Sequence, residues 1–183
     1  MLITPEYRDL NMTLHRERPD YGAHGHRHAE GLRNICMTWN VKSILDYGCG
    51  KGTLIEALRV PWARGYDPCM PGLDGEPDPA DLVVCTDVLE HVEPECVEQV
   101  FDHLRSLTKR LLFVGIATRP AAKTLPDGRN THLTVQPAAW WLWRLLARWE
   151  PLTIQSNGKE LIGVFMVAGE AIPEKSATVN VRM

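Results

Sequence analysis

Apolar positions along this chain follow two rhythms in turn. From Ala29 to Trp39, Leu32, Ile35, Cys36 and Trp39 fall at i, i+3, i+4 and i+7. That spacing lines one face of a helix. Ser43-Ile44-Leu45-Asp46 is short and ends in glycines, as a buried first strand does, and Thr53–Arg59 reads as helix. Asp81-Leu82-Val83-Val84-Cys85 is a second clear strand. A helix over Glu95–Thr108 gathers Val97, Val100, Phe101, Leu104 and Leu107 on one face. Leu111–Ile116 is a third strand, and Trp140–Arg148 a strongly apolar helix. Leu152–Gln155 and Leu161–Val167 flank Ser156-Asn157-Gly158, a turn signal, which predicts a closing antiparallel hairpin. Strands that alternate with helical segments in this way specify an α/β fold.

The two ends read differently. Residues 1–27 are polar and carry Pro5, Pro19, Gly22 and Gly25, so an irregular arm is expected there. From about Ile172 the chain reads as a loose tail. The expected organisation is an arm at 1–28, a domain at 29–170 and a tail at 171–183.

Composition narrows the class. The 183 residues are 44% hydrophobic and 23% charged, enough for one domain with a sizeable core. No apolar run approaches the ~18 residues that span a bilayer. The first residues, Met1-Leu2-Ile3-Thr4-Pro5-Glu6, lack the basic start and apolar core of a signal peptide, so no membrane partner and a cytoplasmic location are expected. Cys36, Cys49, Cys69, Cys85 and Cys96 contain no C-x-x-C pair and suggest free thiols. A net charge of -3 gives no general attraction to nucleic acid.

Candidate chemistry starts at Asp46-Tyr47-Gly48-Cys49-Gly50-Lys51-Gly52-Thr53, an acid ending a strand, three glycines, and then a helix. Glycines allow a tight turn and close approach of a ligand to the backbone, and the helix start offers free N–H groups to an anion. A dinucleotide fingerprint would place glycine at 48, 50 and 53. Position 53 is Thr and the third glycine is Gly52, so the pattern is Asp-x-Gly-x-Gly-x-Gly. Gly65-Tyr66-Asp67 follows, with the acid 17 residues after Gly50, and then Asp81–Val92 with its Val88-Leu89-Glu90-His91 ending.

These three ordered motifs resemble the class I S-adenosylmethionine-dependent methyltransferases over roughly residues 20–168. The resemblance implies a Rossmann-like doubly wound sheet of about six strands, mostly parallel, closed by the antiparallel hairpin. It places the cofactor at Tyr21, Gly25, Asp46, Gly48, Cys49, Gly50, Asp67, Pro68, Cys69, Thr86 and Asp87. Asp67 would hold the ribose hydroxyls, since two carboxylate oxygens suit a vicinal diol. Tyr21-Gly22-Ala23-His24-Gly25 would form a flap over the methionine end. The sequence departs from the pattern between Asp67 and Asp81. Those 14 residues include Pro68, Pro71, Pro77 and Pro79, too few and too Pro-rich for the usual helix plus third strand. A reduced sheet is expected, with this loop crossing over the adenine.

On the acceptor side, Asp87, Glu90 and His91 fall at i, i+3 and i+4, and His132 follows later. Acid-x-x-Glu-His with a later His resembles the metal set of small-RNA 3′-end and ubiquinone-pathway O-methyltransferases, with Asp87 standing where those have Glu. The resemblance makes Asp87, Glu90, His91 and His132 a candidate set for a divalent metal ion. Asp87, His91 and His132 are the candidate general bases without one. Arg119, Lys123, Arg129 and Asn130 are the candidate contacts for an anionic acceptor. The expected activity is methyl transfer to a small or anionic acceptor at oxygen. Methylation of a nucleic acid and a non-catalytic cofactor-binding partner are the alternatives. The sequence is silent on oligomeric state.

Overall fold

A computed structural model describes residues 1–173, so most of the expected tail lies outside the described residues. The described strands form one six-stranded sheet. In chain order they are β1 (Ile44–Tyr47), β2 (Ala63–Tyr66), β3 (Ala80–Thr86), β4 (Thr108–Ala117), β5 (Glu150–Ser156) and β6 (Glu160–Met166). Across the sheet the order is β2-β1-β3-β4-β6-β5. The first four are parallel, and β6 runs antiparallel to both β4 and β5. The predicted hairpin is therefore present, turning at Asn157 and Gly158.

Side-chain alternation along the central strands splits the core into two layers. Leu82, Val84, Leu111 and Phe113 face α2 (Ala29–Trp39) and α3 (Thr53–Leu58). Val83, Cys85, Leu112 and Val114 face α4 (Val97–Leu107) and α5 (Ala138–Leu146). A sheet covered on both faces needs strands apolar at every position, which is why they appear as unbroken apolar runs. The helix at Ala29–Trp39 has the bounds its periodicity predicted, and it ends on Asn40 in the left-handed conformation.

Between β2 and β3 no strand or helix forms. The Pro-rich crossover of residues 67–79 runs as turns, which leaves β2 as the outer strand. The reduced sheet matches the expectation.

The arm does not. Residues expected to be irregular contain α1 (Pro5–Glu17), a 13-residue helix. The Thr4 side chain accepts from the Tyr7 amide as N-cap, Pro5 starts the helix, and Glu6 sits in its first turn. Its buried positions are Tyr7, Asn11 and Leu14, a narrow and partly polar stripe. Tyr7 and Leu14 pack with Leu125 in a third, small apolar cluster. Gly25–His28 forms a short 3-10 turn ahead of α2.

Candidate active site

The parallel strands place their carboxyl ends along one rim, and the chain reverses its direction of winding between β1 and β3. Ligands bind at such a switch point. Here the glycine loop meets the segment after β3. Gly48 and Gly50 both have positive φ, at 76° and 51°. A Cβ on Gly48 would collide with the Val88 side chain, and one on Gly50 would come within 2.7 Å of the Gly22 carbonyl oxygen. Only glycine lets this loop, the 86–88 segment and the Tyr21–Gly22 strap converge.

They enclose a cavity of about 380 Å³. Its walls include Asp46, Gly48, Cys49, Gly50, Asp67, Pro68, Cys69, Thr86, Asp87, Tyr21 and Gly25, so every residue expected at the cofactor lines one space. Asp67 is buried, and its carboxylate is oriented by two backbone amides. Gly50 donates to Oδ2 at 2.9 Å and Cys69 donates to Oδ1 at 2.8 Å. Asp46 is buried beside it, and desolvation, then the charge of Asp67, pushes its carboxyl up to about 7. Burial also raises the thiols of Cys49 and Cys69, the latter to about 12, so both stay protonated and act as small apolar walls. Gly25 owes its small size to packing: its Cβ would lie 3.0 Å from Leu54 of α3.

His91 and His132 line the same cavity, with ring centroids 4.7 Å apart. Each ring is held through Nδ1 by a backbone carbonyl. His91 donates to the Thr131 oxygen and His132 to the Arg119 oxygen, both at 2.7 Å. A carbonyl can only accept, so Nδ1 carries the proton and Nε2 keeps its lone pair. Burial holds His91 down at about 3 and lowers His132 too, so both rings are neutral at neutral pH. Glu90 lies behind them, fully buried. Its Oε1 accepts from the Ala117 amide at 2.9 Å, and its Oε2 has no hydrogen-bond partner among the described residues. Burial, then Asp87, pushes its carboxyl up to about 8. Glu90, His91 and His132 each offer one ligand atom, all within 4.8 Å of one another.

Asp87 stands apart from this group, and the expected four-residue set is corrected to three. Its φ of 55° is left-handed, so the segment after β3 does not continue as the helix that would align it with Glu90 and His91. Both of its oxygens instead accept from Arg27 Nη2 at 2.9 Å, and Arg27 also reaches Glu160 at 3.1 Å.

The expected acceptor contacts divide as well. Arg119 and Lys123 line the cavity. Lys123 pairs with Asp20 at 2.8 Å and lies 5.6 Å from the Tyr21 ring centroid. Arg129 does not line it: the side chain turns to Asp127 at 2.7 Å. Asn130 does not either, because its amide is used within its own loop. Oδ1 accepts from the Ala121 and His132 amides, and Nδ2 donates to the Ala121 oxygen. It thereby fixes His132 rather than meeting a ligand.

Among the wall residues that escaped sequence reading are Tyr7, Asn11 and His15 of α1. Thr4-Pro5-Glu6 is a helix-start signature, and its combination with a Tyr7-Asn11-Leu14 stripe was the signal that could have found them.

A family profile described as "Methyltransferase domain" matches residues 21–149. Among solved structures, the chain is similar to 1,6-didemethyltoxoflavin-N1-methyltransferase of Burkholderia thailandensis, with bound 1,6-didemethyltoxoflavin and S-adenosylhomocysteine. The TM-score is 0.62 at 14% identity, covering 91% of this chain and 92% of that one. The N-methyltransferase NodS of Bradyrhizobium japonicum WM9, in complex with S-adenosylhomocysteine, gives a TM-score of 0.58 at 17% identity, over 90% and 100% of the chains. The magnesium protoporphyrin IX methyltransferase of Synechocystis PCC 6803, with bound S-adenosylhomocysteine, gives 0.57 at 17% identity, over 78% and 83%. No curated protein matches the chain in sequence.

Proposed function

The chain belongs to the methyltransferase-domain family, and on that premise we propose that it takes a methyl group from S-adenosylmethionine and passes it to a small or anionic acceptor at oxygen. The observation that carries this reading is the shared cavity: the Gly48–Gly50 loop, Asp67, His91 and His132 all line it.

The residues present fit the cofactor. Asp67, aimed by two amides, suits a ribose diol. Asp46 is a buried carboxyl that forms no ion pair among the described residues, and a sulfonium or ammonium group nearby stabilises its charged form. Tyr21 is hydrogen-bonded by the side chain of Asn11, whose Oδ1 has no partner, so the Asn11 amide nitrogen is the donor. The Tyr21 hydroxyl proton is then left for a ligand carboxylate. When bound, S-adenosylmethionine supplies a methyl group on a positively charged sulfur.

Methyl transfer moves one methyl from sulfur to oxygen. The sulfur keeps the bonding pair, and the acceptor's proton leaves. The chain must align the acceptor and take that proton. Neutral His132, with Nε2 free at the cavity wall, is the base placed for it, and Asn130 and the Arg119 carbonyl fix its ring. Arg119 brings positive charge to the same cavity and favours an anionic acceptor, while Lys123 there is paired with Asp20.

Glu90, His91 and His132 also fit a divalent cation: two neutral imidazoles, and a buried carboxylate oxygen without a partner. That donor set suits manganese, cobalt, iron or zinc better than magnesium. A bound ion would supply Lewis-acid polarisation of the acceptor hydroxyl.

The test combines a panel of hydroxylated anions, scored by transfer of labelled methyl, with elemental analysis of the purified protein. Transfer to oxygen that is lost on chelation and restored by manganese or cobalt supports the reading with an ion. Chelator-resistant transfer by metal-free protein leaves His132 as the base alone. Transfer only to nitrogen, or to RNA ends over every small molecule, overturns the acceptor assignment.

A further inference from the structure

Helix α1 lies ahead of residue 21, outside the family match, and yet it forms a wall of the cavity. Tyr7, Asn11 and His15 succeed one another at i, i+4 and i+8, so they stand in a row over about two helical turns. All three line the cavity. Each has a buried polar atom with no hydrogen-bond partner among the described residues: Tyr7 Oη, Asn11 Oδ1 and His15 Nδ1. Tyr7 is 3% exposed and Asn11 8%. Buried polar atoms are nearly always paired, and leaving one unpaired costs a large part of a small domain's stability. Three in a row on one cavity wall mark a surface whose partner is a ligand.

The position of the row indicates which ligand. His15 lies at the glycine-loop end, where it packs over Gly22 and feels the charges of Asp67 and Lys51. Tyr7 lies near Tyr21, Cys69 and Glu93. The cavity lining also includes the apolar side chains of Leu2, Ile3, Val92 and Val100. The row thus runs beside the diol-binding carboxylate and Cys69, the side of the cavity on which a nucleoside held by Asp67 would lie. It also sits beside the crossover that is too short to hold a strand. Arg8, one residue from Tyr7, donates to the Pro68 carbonyl at 2.7 Å and pairs with Asp74 at 2.7 Å.

We infer that α1 reads the adenosine half of the cofactor, with Tyr7 Oη and Asn11 Oδ1 hydrogen-bonding the nucleoside and His15 closing over its ribose. α1 so provides the edge contacts that the short 67–79 crossover has no strand to give. This assignment rests on the cofactor reading above.

The test is Tyr7→Phe, read two ways. A hydroxyl whose only partner is the ligand predicts opposite signs for the two readings. Without ligand, the melting temperature of the variant stays equal to wild type or rises, because an unpaired buried hydroxyl is gone. With S-adenosylhomocysteine, calorimetry shows affinity weakened roughly 3- to 10-fold, the worth of one hydrogen bond. An affinity within twofold of wild type overturns the inference while leaving the cofactor reading intact. A lowered melting temperature in the free variant overturns it as well, by showing that the hydroxyl already has a structural partner. If wild type itself fails to bind S-adenosylhomocysteine, the cofactor reading fails first, and this inference with it.

Discussion

Gly50 and Asp67 hold each other in place: the Gly50 amide donates to Asp67 Oδ2 at 2.9 Å, joining the loop after β1 to the end of β2. The carboxylate that would meet the ribose is therefore set before any ligand arrives. Asp67→Ala removes the ligand contact and strands the Gly50 and Cys69 amides. Affinity for S-adenosylhomocysteine should fall by about 1.5–3 kcal/mol, the range for hydrogen bonds to a charged group. Calorimetry measures this, and unchanged affinity would remove Asp67 from the site.

Asp46 gives cofactor binding a pH dependence. Its carboxyl is pushed up to about 7, so the free protein carries a proton there below that pH. A cationic ligand prefers the ionised form. Affinity for S-adenosylmethionine should therefore weaken by about tenfold per pH unit as pH falls below 7, with a proton released on binding. Titrations in buffers of different ionisation heat detect that proton. The sign for stability is opposite. The folded value lies above the ordinary one near 3.8, so the folded protein binds more protons between the two. The contribution of Asp46 is fully present below pH 3.8 and is lost as pH rises through 7. Asp46→Asn should flatten both profiles.

Arg27 bridges the strap to the sheet through Asp87 and Glu160. These pairs are partly exposed, and such pairs contribute little to global stability. Their local effect should be larger. Arg27→Met should speed amide exchange over residues 20–28 in the free protein, with the melting temperature changed little. Cofactor should slow exchange there in both proteins, since Tyr21 and Gly25 line its cavity. Equal exchange with and without cofactor would make the strap a fixed structural arm.

Thr4 carries the start of α1 twice over. Its hydroxyl caps the Tyr7 amide and donates to the buried Glu93 carboxylate, which also accepts the Thr4 amide at 2.9 Å. Thr4→Ala should cost about 1–2 kcal/mol in urea unfolding, the upper range for a lost N-cap. It should also loosen α1 in hydrogen exchange.

Much of this site could be read ahead of the structure because its chemistry is carried by contiguous residues. The Asp46–Thr53 loop and Asp67 depend on backbone turns that glycine and strand ends announce locally. The unbroken apolar runs likewise announced the doubly covered sheet. What stayed hidden depended on partners distant in sequence. Asp87 was grouped with Glu90 by spacing, but its left-handed φ and Arg27, sixty residues earlier, turn it away. Asn130 and Arg129 carry side chains suited to an anion, but neighbours in their own loop occupy them. α1 went unseen because its inward face is Tyr7, Asn11 and His15, polar groups that cover a cavity instead of an apolar core.

The Pro-rich crossover also determines how the molecule meets its own copies. β2 is an outer strand, and its far edge pairs with no other described strand. An open strand edge is a template on which a second chain can add. Here that edge is only four residues long, and the Arg64 guanidinium ties it to the Asp78 and Pro79 carbonyls. Pro77 and Pro79 have no N–H to offer to an incoming strand. The segment that shortened the sheet thus also leaves its β2 edge poorly suited to pairing with an added strand.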